Sequence, residues 1–213
     1  MPDPRPRKLQ IQSKMNNRIT RDVYHQEVVK LARTLLGKVF VRMDGNTRLS
    51  GMIVETEAYL GIPDKAAHTV GGRRTPRNES MWQDGGTLYV YFTYGMHHCM
   101  NIVAEQADEP VAVLIRALEP MDGKEVMYTR RKVAKKDRDL CSGPAKLCQA
   151  LDITRDQDGI DLVTDSKIWI EDHGIKIPGK NIATGPRIGI QYAEEWADKP
   201  YRFWVKDHPC VSK

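Results

Sequence analysis

Two glutamates one residue apart, in the stretch GMIVETEAYLG from Gly51 to Gly61, and the AAH that follows at Ala66 to His68 are the residues best placed by type and spacing to do chemistry. Successive side chains of a strand point to opposite faces, so Ile53, Glu55, Glu57 and Tyr59 line one side and Val54, Thr56, Ala58 and Leu60 the other. One face suits a core, and the other carries two carboxylates and a phenol. A solvated face of an antiparallel strand would hold the same residues at no cost, and periodicity alone leaves both readings open. The stretch runs directly into Gly61-Ile62-Pro63 and then a histidine. Carboxylate, phenol and imidazole can therefore gather at a strand end beside a loop, as active sites often do. A carboxylate held there can take a proton from water, and a pair can hold a divalent cation.

Further groups fall in four other segments. Gly61 to Gln83 is long for a loop in a compact domain, and its centre, HTVGGRRTPRN, offers the guanidiniums of Arg73, Arg74 and Arg77 beside Gly71, Gly72 and Thr75, donors suited to phosphate oxygens or to water. In TLYVYFTYGMHHCMNIV, Thr87 to Val103, alternation puts Leu88, Val90 and Phe92 on one face and Tyr89, Tyr91 and Thr93 on the other. Tyr94-Gly95-Met96-His97-His98 must then turn the chain back. A tyrosine and a methionine at a hairpin tip either tuck under a neighbour or serve as a wedge. Asn101 shares a face with Cys99 and Val103, as a satisfied core amide or as a reader of a base edge. Arg116 lies near the end of the apolar strand Val111 to Ala117, where a cation needs a partner, and a carboxylate of the Glu55 and Glu57 face is the obvious one. Ser142 is predicted to cap GPAKLCQALDI as a short helix, where free amides and Lys146 could meet an anion.

The elements around these groups follow from periodicity and turn chemistry. A helix is predicted from about Asp22 to Leu36, ended by Gly37. KVFVRM, the turn Asp44-Gly45-Asn46 and a return strand from Met52 to Tyr59 predict a hairpin. A second helix is predicted from Gly123 to Arg131. The run RRKVAKKDR, Arg130 to Arg138, reads as a solvated, mobile segment. Lys167 to Glu171, Gly185 to Ile190 and Tyr201 to Val205 read as strands with little visible chemistry. At 213 residues, with no linker dividing it, the chain reads as a flexible basic arm over residues 1–17 and a single domain over 18–213. Its 33 Lys and Arg against 28 Asp and Glu give a net charge of +5, which favours an anionic partner. No apolar run approaches a membrane span and the opening residues lack a signal-peptide core, so a soluble, intracellular protein without membrane contact is expected. Cys99, Cys141, Cys148 and Cys210 form no CxxC pair, which predicts reduced thiols, and neither a zinc tetrad spacing nor HExxH occurs.

IVETEAYLG, AAH, GGRRTPRN, YVYFTYGMHHCMNI, LIRALEP, CSGPAKLCQAL, GPRIGI and YRFWV occur in this order. In that order the chain, from about Ile19 to Ser212, resembles the alkyladenine (3-methyladenine) DNA glycosylases. The resemblance implies an α+β domain around a curved antiparallel sheet with flanking helices and a protruding hairpin. It implies a metal-free, cofactor-free monofunctional enzyme, acting as a monomer on duplex DNA that contains damaged purines: 3-methyladenine, 7-methylguanine, hypoxanthine or ethenoadenine. It would be nuclear in a eukaryote and cytoplasmic, at the nucleoid, in a bacterium. Position by position it implies that Glu57 is the general base, that Arg116 stands near the attacking water, and that Tyr59, His68 and Tyr91 wall the base pocket. Asn101 then meets the purine's exocyclic edge and Tyr94, beside Met96, intercalates. His97 and His98 depart from the family pattern, which has at least one aromatic after Met96 in vertebrate members.

Two rival readings remain open from the residues themselves. Glu55 and Glu57 could hold Mg²⁺ for phosphodiester cleavage. Alternatively, the aromatics could stack bases in a non-catalytic nucleic-acid binding module. On the glycosylase reading, Glu55 is expected to matter much less than Glu57.

Overall fold

The computed structural model describes residues 17–212, so the arm expected over residues 1–17 lies outside the described residues except for Asn17. Eight strands form one antiparallel sheet: β1 (Val39–Asp44), β2 (Thr47–Tyr59), β3 (Leu88–Thr93), β4 (His97–Val103), β5 (Ala112–Pro120), β6 (Ile168–Glu171), β7 (Ile182–Gly185) and β8 (Arg202–Val205). The order is β3-β4-β5-β2-β1-β6, with β8 pairing β2 and β7 pairing β8. Five helices flank it among the described residues: α1 (Arg21–Tyr24), α2 (Val28–Thr34), α3 (Lys124–Arg130), α4 (Asp137–Leu140) and α5 (Pro144–Leu151). This is the α+β architecture expected. No helix among the described residues is long and apolar enough to cross a membrane.

β2 organises the sheet because it is long enough to serve two neighbours along one edge. Residues up to Met52 pair with β1, whereas Glu55 to Glu57 pair with β8. Along its other edge it pairs with β5, and the register shifts there between Ile53 and Glu55 and again between Glu55 and Thr56. A bulge inserts a residue and turns the strand, so strict alternation fails across it. Ile53 accordingly joins the main core and Val54 packs with Ala117 and Cys210, the reverse of the sidedness that alternation predicts. Beyond the bulge alternation resumes: the Thr56 hydroxyl donates to the Ala32 carbonyl of α2 (2.8 Å), and Glu55, Glu57 and Tyr59 face away from it. That face is not solvated, since both glutamates are completely buried.

The helix predicted over Asp22 to Leu36 is broken in two. Glu27 caps α2 by accepting from the Val29 and Lys30 amides (3.0 and 2.9 Å). Glu105 takes groups that a continuous helix would pair, its amide donating to the Tyr24 carbonyl (3.0 Å) and its carboxylate accepting from the Val28 amide (2.9 Å). Gly37 then turns with φ 86°, where an added Cβ would lie 2.9 Å from the Ile175 carbonyl oxygen. Three further expectations are corrected. Ser142 is not a cap, because its backbone bridges to Ala117 and α5 starts from Gly143 with Pro144 in its first turn. Arg130 and Arg131 are not solvated: the first pairs with Asp44 (2.6 Å) and the second is buried against Gln149 (2.7 Å). Only Gly185 of the predicted Gly185–Ile190 strand lies in β7, and the rest is a loop that runs into the site described next. All four cysteines are free and buried.

Candidate active site

The bulge and the β2–β8 pairing bring four charges of alternating sign into one buried row across β5, β2 and β8. Arg116, from β5, bridges the two glutamates, its Nε 3.1 Å from Glu55 and its Nη1 3.1 Å from Glu57. Glu55 also accepts from Arg202 Nε (2.6 Å), the Ser212 hydroxyl (2.9 Å) and the Ser212 amide (2.7 Å). Glu57 accepts instead from the Tyr59 hydroxyl (3.0 Å) and the Ile188 amide (2.7 Å). Burial pushes the Glu57 carboxyl above the ordinary carboxylate range, and it does so against the opposing pull of Arg116, the Ile188 amide and the Tyr59 hydroxyl. Arg116 is stabilised as a cation: burial opposes its charge, but the two carboxylates outweigh it. The result is a carboxylate of raised proton affinity, held in one orientation by two hydrogen-bond donors and an arginine ion pair.

Those three partners, Tyr59, Arg116 and Ile188, also line a cavity of about 320 Å³, so Glu57 sits directly behind its lining. The volume suits a single base-sized ligand. His68, Tyr89, Tyr91 and Asn101 line the same cavity. The His68 and Tyr91 rings meet edge to face with centroids 4.5 Å apart, and Tyr89 stacks on Tyr91 at 5.6 Å. His68 Nδ1 is hydrogen-bonded to the Tyr89 hydroxyl (2.7 Å). Burial, with Arg77 and Arg73 nearby, lowers the His68 pKa to about 4, so the imidazole is neutral at physiological pH. Asn101 is buried, and its amide nitrogen donates to the Tyr89 carbonyl at 3.3 Å.

The remaining expected residues sit at the rim or on the adjacent surface. Tyr94 is 84% exposed and adopts φ 51°, a left-handed conformation uncommon for a residue with a side chain, and Met96 is 69% exposed. Tyr94 thus projects from the β3–β4 hairpin tip, with the cavity below it. The loop carrying Arg77 is tied to the same hairpin, Arg77 Nη2 donating to the Phe92 carbonyl (3.0 Å). The three arginines of that loop are not equivalent. Arg74 is engaged by the carboxylates of Glu79 and Asp108, while Arg73 and Arg77 are exposed without a carboxylate partner among the described residues. Thr75 directs its amide and hydroxyl to the Asn78 side chain (2.7 and 3.2 Å), which shapes the loop internally. Lys146 is exposed on α5, its ammonium 3.5 Å from the Ser142 hydroxyl.

Several residues of the site have no role assigned from the sequence, although Arg187 and Arg202 lie in the GPRIGI and YRFWV motifs. Arg187 is buried with Asp64, donating at 2.5 and 2.9 Å, and lies over the Tyr59 ring at 4.7 Å. It donates also to the Ala58 carbonyl (3.0 Å), so it fixes the pocket wall and the loop that delivers the Ile188 amide. Arg202 and Ser212 reach Glu55 across 147 and 157 positions, and no local pattern marks such pairs. Tyr89 was visible in principle, because it shares the strand face of Tyr91.

Residues 22–209 match the model of the methylpurine-DNA glycosylase family. A human protein, DNA-3-methyladenine glycosylase, is 46% identical over 204 residues, which span 92% of this chain and 68% of the human one. The mouse protein of the same name is 47% identical over 209 residues, spanning 92% of this chain and 62% of its own length. A relative from Clostridium perfringens (strain 13 / Type A) is 43% identical over 203 residues, spanning 92% of this chain and 99% of its own. With a match this long and identity this high, the chain belongs to the methylpurine-DNA glycosylase family and is a DNA glycosylase.

Proposed function

We propose that the protein hydrolyses the N-glycosidic bond of alkylated or deaminated purines in duplex DNA, 3-methyladenine, 7-methylguanine, hypoxanthine and ethenoadenine among them, by flipping the nucleotide into the aromatic cavity and activating water with Glu57. The observation that carries this reading is the placement of Glu57: fully buried, of raised proton affinity, and in contact with Tyr59, Arg116 and Ile188, which line an aromatic cavity. Such a carboxylate takes a proton from water as the sugar becomes oxocarbenium-like, and its charge stabilises that cation. The catalysis needs no lysine nucleophile. Both glutamates are already bonded to arginine, so a cation bound between them would have to displace a guanidinium, which favours a base over a metal ligand.

The cavity suits the substrate class. A purine alkylated at N3 or N7 is cationic, and neutral His68, Tyr59 and Tyr91 attract it through their ring faces, worth about 0.5 to 2 kcal/mol per good contact. A base inside a duplex cannot reach a buried carboxylate, and damaged pairs open at least cost. Tyr94, projecting from a hairpin tip, fills the gap that the departing base leaves. Arg73 and Arg77 contact phosphates beside it.

Incubation of lesion-containing duplex with the protein in EDTA, followed by hot alkali, tests the reading. Abasic sites that break only on alkali treatment support it. Strand cleavage abolished by EDTA would establish a metal-dependent nuclease instead, and binding without turnover in a single-turnover assay would establish a binding module.

A further inference from the structure

We propose that Arg202 is a positioning residue for the reaction: with Ser212 it neutralises Glu55, and so leaves Arg116 free to be shared with Glu57, the group that takes the proton. The inference rests on the reading of Glu57 as the base.

Arg202 lies opposite Glu57 in the β2–β8 pairing, yet its guanidinium reaches diagonally to Glu55 at 2.6 Å. Its head lies over the Trp204 ring at 4.6 Å and its Nη2 is 3.5 Å from the Ser212 carbonyl, contacts that hold it in that direction. Neither Arg202 nor Ser212 lines the cavity, and their side chains bond to Glu55 and, for Ser212, to Arg116 rather than to Glu57. Any effect on chemistry must pass through Glu55 and Arg116.

The charges that face the row balance only when all four members are present. Facing Glu55 are Arg116 from β5, Arg202 from β8, and Ser212 from the terminal segment. Facing Glu57 are Arg116 from β5, Glu55 and Tyr59 from β2, Tyr91 from β3, Cys99 from β4 and the Ile188 amide. Arg187 stands beyond Tyr59. The tyrosines and the thiol are neutral at physiological pH, because burial raises their pKa values. Two carboxylates and two guanidiniums therefore settle the row between them. Without Arg202, two buried carboxylates would compete for one arginine, and a shared site of like charges takes up a proton. Glu57, already disfavoured as an anion by burial, is the one that takes it.

The test is the pH dependence of single-turnover excision of 7-methylguanine from a defined duplex. This base is already cationic and needs no protonating acid, so the acid limb reports the catalytic base. Arg202→Gln is expected to move that limb up by about one pH unit, with the loss of rate concentrated on its acid side. Arg202→Lys should restore the limb. Glu55→Gln, which leaves a surplus positive charge, should move it down, and Glu55→Gln with Arg202→Gln should return it to the wild-type position. A purely structural role makes the double variant at least as impaired as either single one. If Arg202→Gln fails to fold, the Glu55→Gln and double variants still carry the comparison. An unmoved limb in Arg202→Gln, or a double variant that does not return, overturns the proposal. Glu57→Gln separates the two readings: retained excision there removes Glu57 as base, whereas a dead Glu57→Gln beside an unmoved Arg202→Gln removes only this inference.

Discussion

Two buried carboxylate clusters at different places on one sheet behave in opposite ways. At the end of β6, Glu171 accepts two parallel bonds from Arg48 (3.0 and 2.7 Å), one from the Trp169 indole (2.7 Å), and is paired with His173 at 2.6 Å. Burial pushes its pKa up, but these donors outweigh it and hold the pKa at about 2. At the β5–β2–β8 crossing, Glu57 has deeper burial, one arginine shared with a second carboxylate, and a pKa raised rather than lowered. Depth of burial set against the number of charge-assisted donors decides the direction. Linkage gives the two clusters opposite effects on stability. A carboxylate with a depressed pKa adds stability above its unfolded value, and loses it as the pH falls through the folded value. One with a raised pKa favours folding at low pH and loses that contribution as the pH rises through its folded value. At neutral pH Glu171 holds the fold together, whereas Glu57 is kept at a cost in stability, as groups at functional sites often are.

The largest test of that contrast is Glu57→Gln, which keeps the shape but cannot take a proton. Single-turnover excision should fall by about 10³-fold while binding to the lesion duplex is retained, and a rate within tenfold of wild type would break the comparison at its functional end. Glu171→Gln should do the reverse. Excision per folded molecule is expected to be unchanged, and stability at neutral pH should drop by about 2 kcal/mol, the difference vanishing as the pH falls toward about 2. Denaturant melts at neutral and acid pH measure it, and a stability gap that persists in acid would show that something other than ionisation holds Glu171 in place.

How much of this was legible beforehand depends on the range of the interaction. Alternation within a strand placed Glu57, Tyr59, Tyr91 and Asn101 on pocket-facing sides, and an isolated cation in an apolar strand pointed from Arg116 to the Glu55 and Glu57 face. These are period-two arguments, and they held wherever the strand was regular. They failed at Ile53 and Val54, where a bulge adds a residue that periodicity does not register. The helical period failed for the first helix, where Glu105, remote in sequence, competes for its backbone. To the expectation that Glu55 matters much less than Glu57 the structure adds that Glu55 is equally buried and bonded to Arg116. Its four donors include Arg202, from a segment that reads as a strand with little chemistry, and Ser212, to which the sequence assigns no role. Pairings across 147 positions are set by sheet order, and sheet order is not a local property of the chain.

A smaller effect separates paired from unpaired charge on the surface, the exposed counterpart of the same contrast. Arg74 is neutralised by Glu79 and Asp108, so Arg74→Glu should leave the salt dependence of duplex binding close to wild type. Arg73→Glu or Arg77→Glu should weaken binding to every sequence and flatten the salt slope by about one unit each. Equal slopes for all three variants would remove the distinction.

The smallest expected effect falls on an uncharged member of the pocket. Asn101 is buried and held by the Tyr89 carbonyl at 3.3 Å, so its side chain is fixed against the cavity rather than free to turn away. Stacking on Tyr59, His68 and Tyr91 cannot distinguish hypoxanthine from guanine, which differ by one exocyclic amine. A rigid amide at that edge can, because guanine's amino group would be crowded and lose its hydration without gaining an acceptor. Asn101→Ser removes the crowding and leaves every charge in place. The ratio of guanine to hypoxanthine excision should then rise by about tenfold, roughly the worth of one unmet hydrogen bond. The acid limb for 7-methylguanine should not move, because nothing that faces Glu57 has changed its charge. Single-turnover rates on otherwise identical duplexes measure the ratio, and the same variant assayed across pH measures the limb. A ratio that stays at the wild-type value would take selectivity away from Asn101. A limb that shifts would mean that pocket shape, and not the charge row behind it, sets the protonation of Glu57.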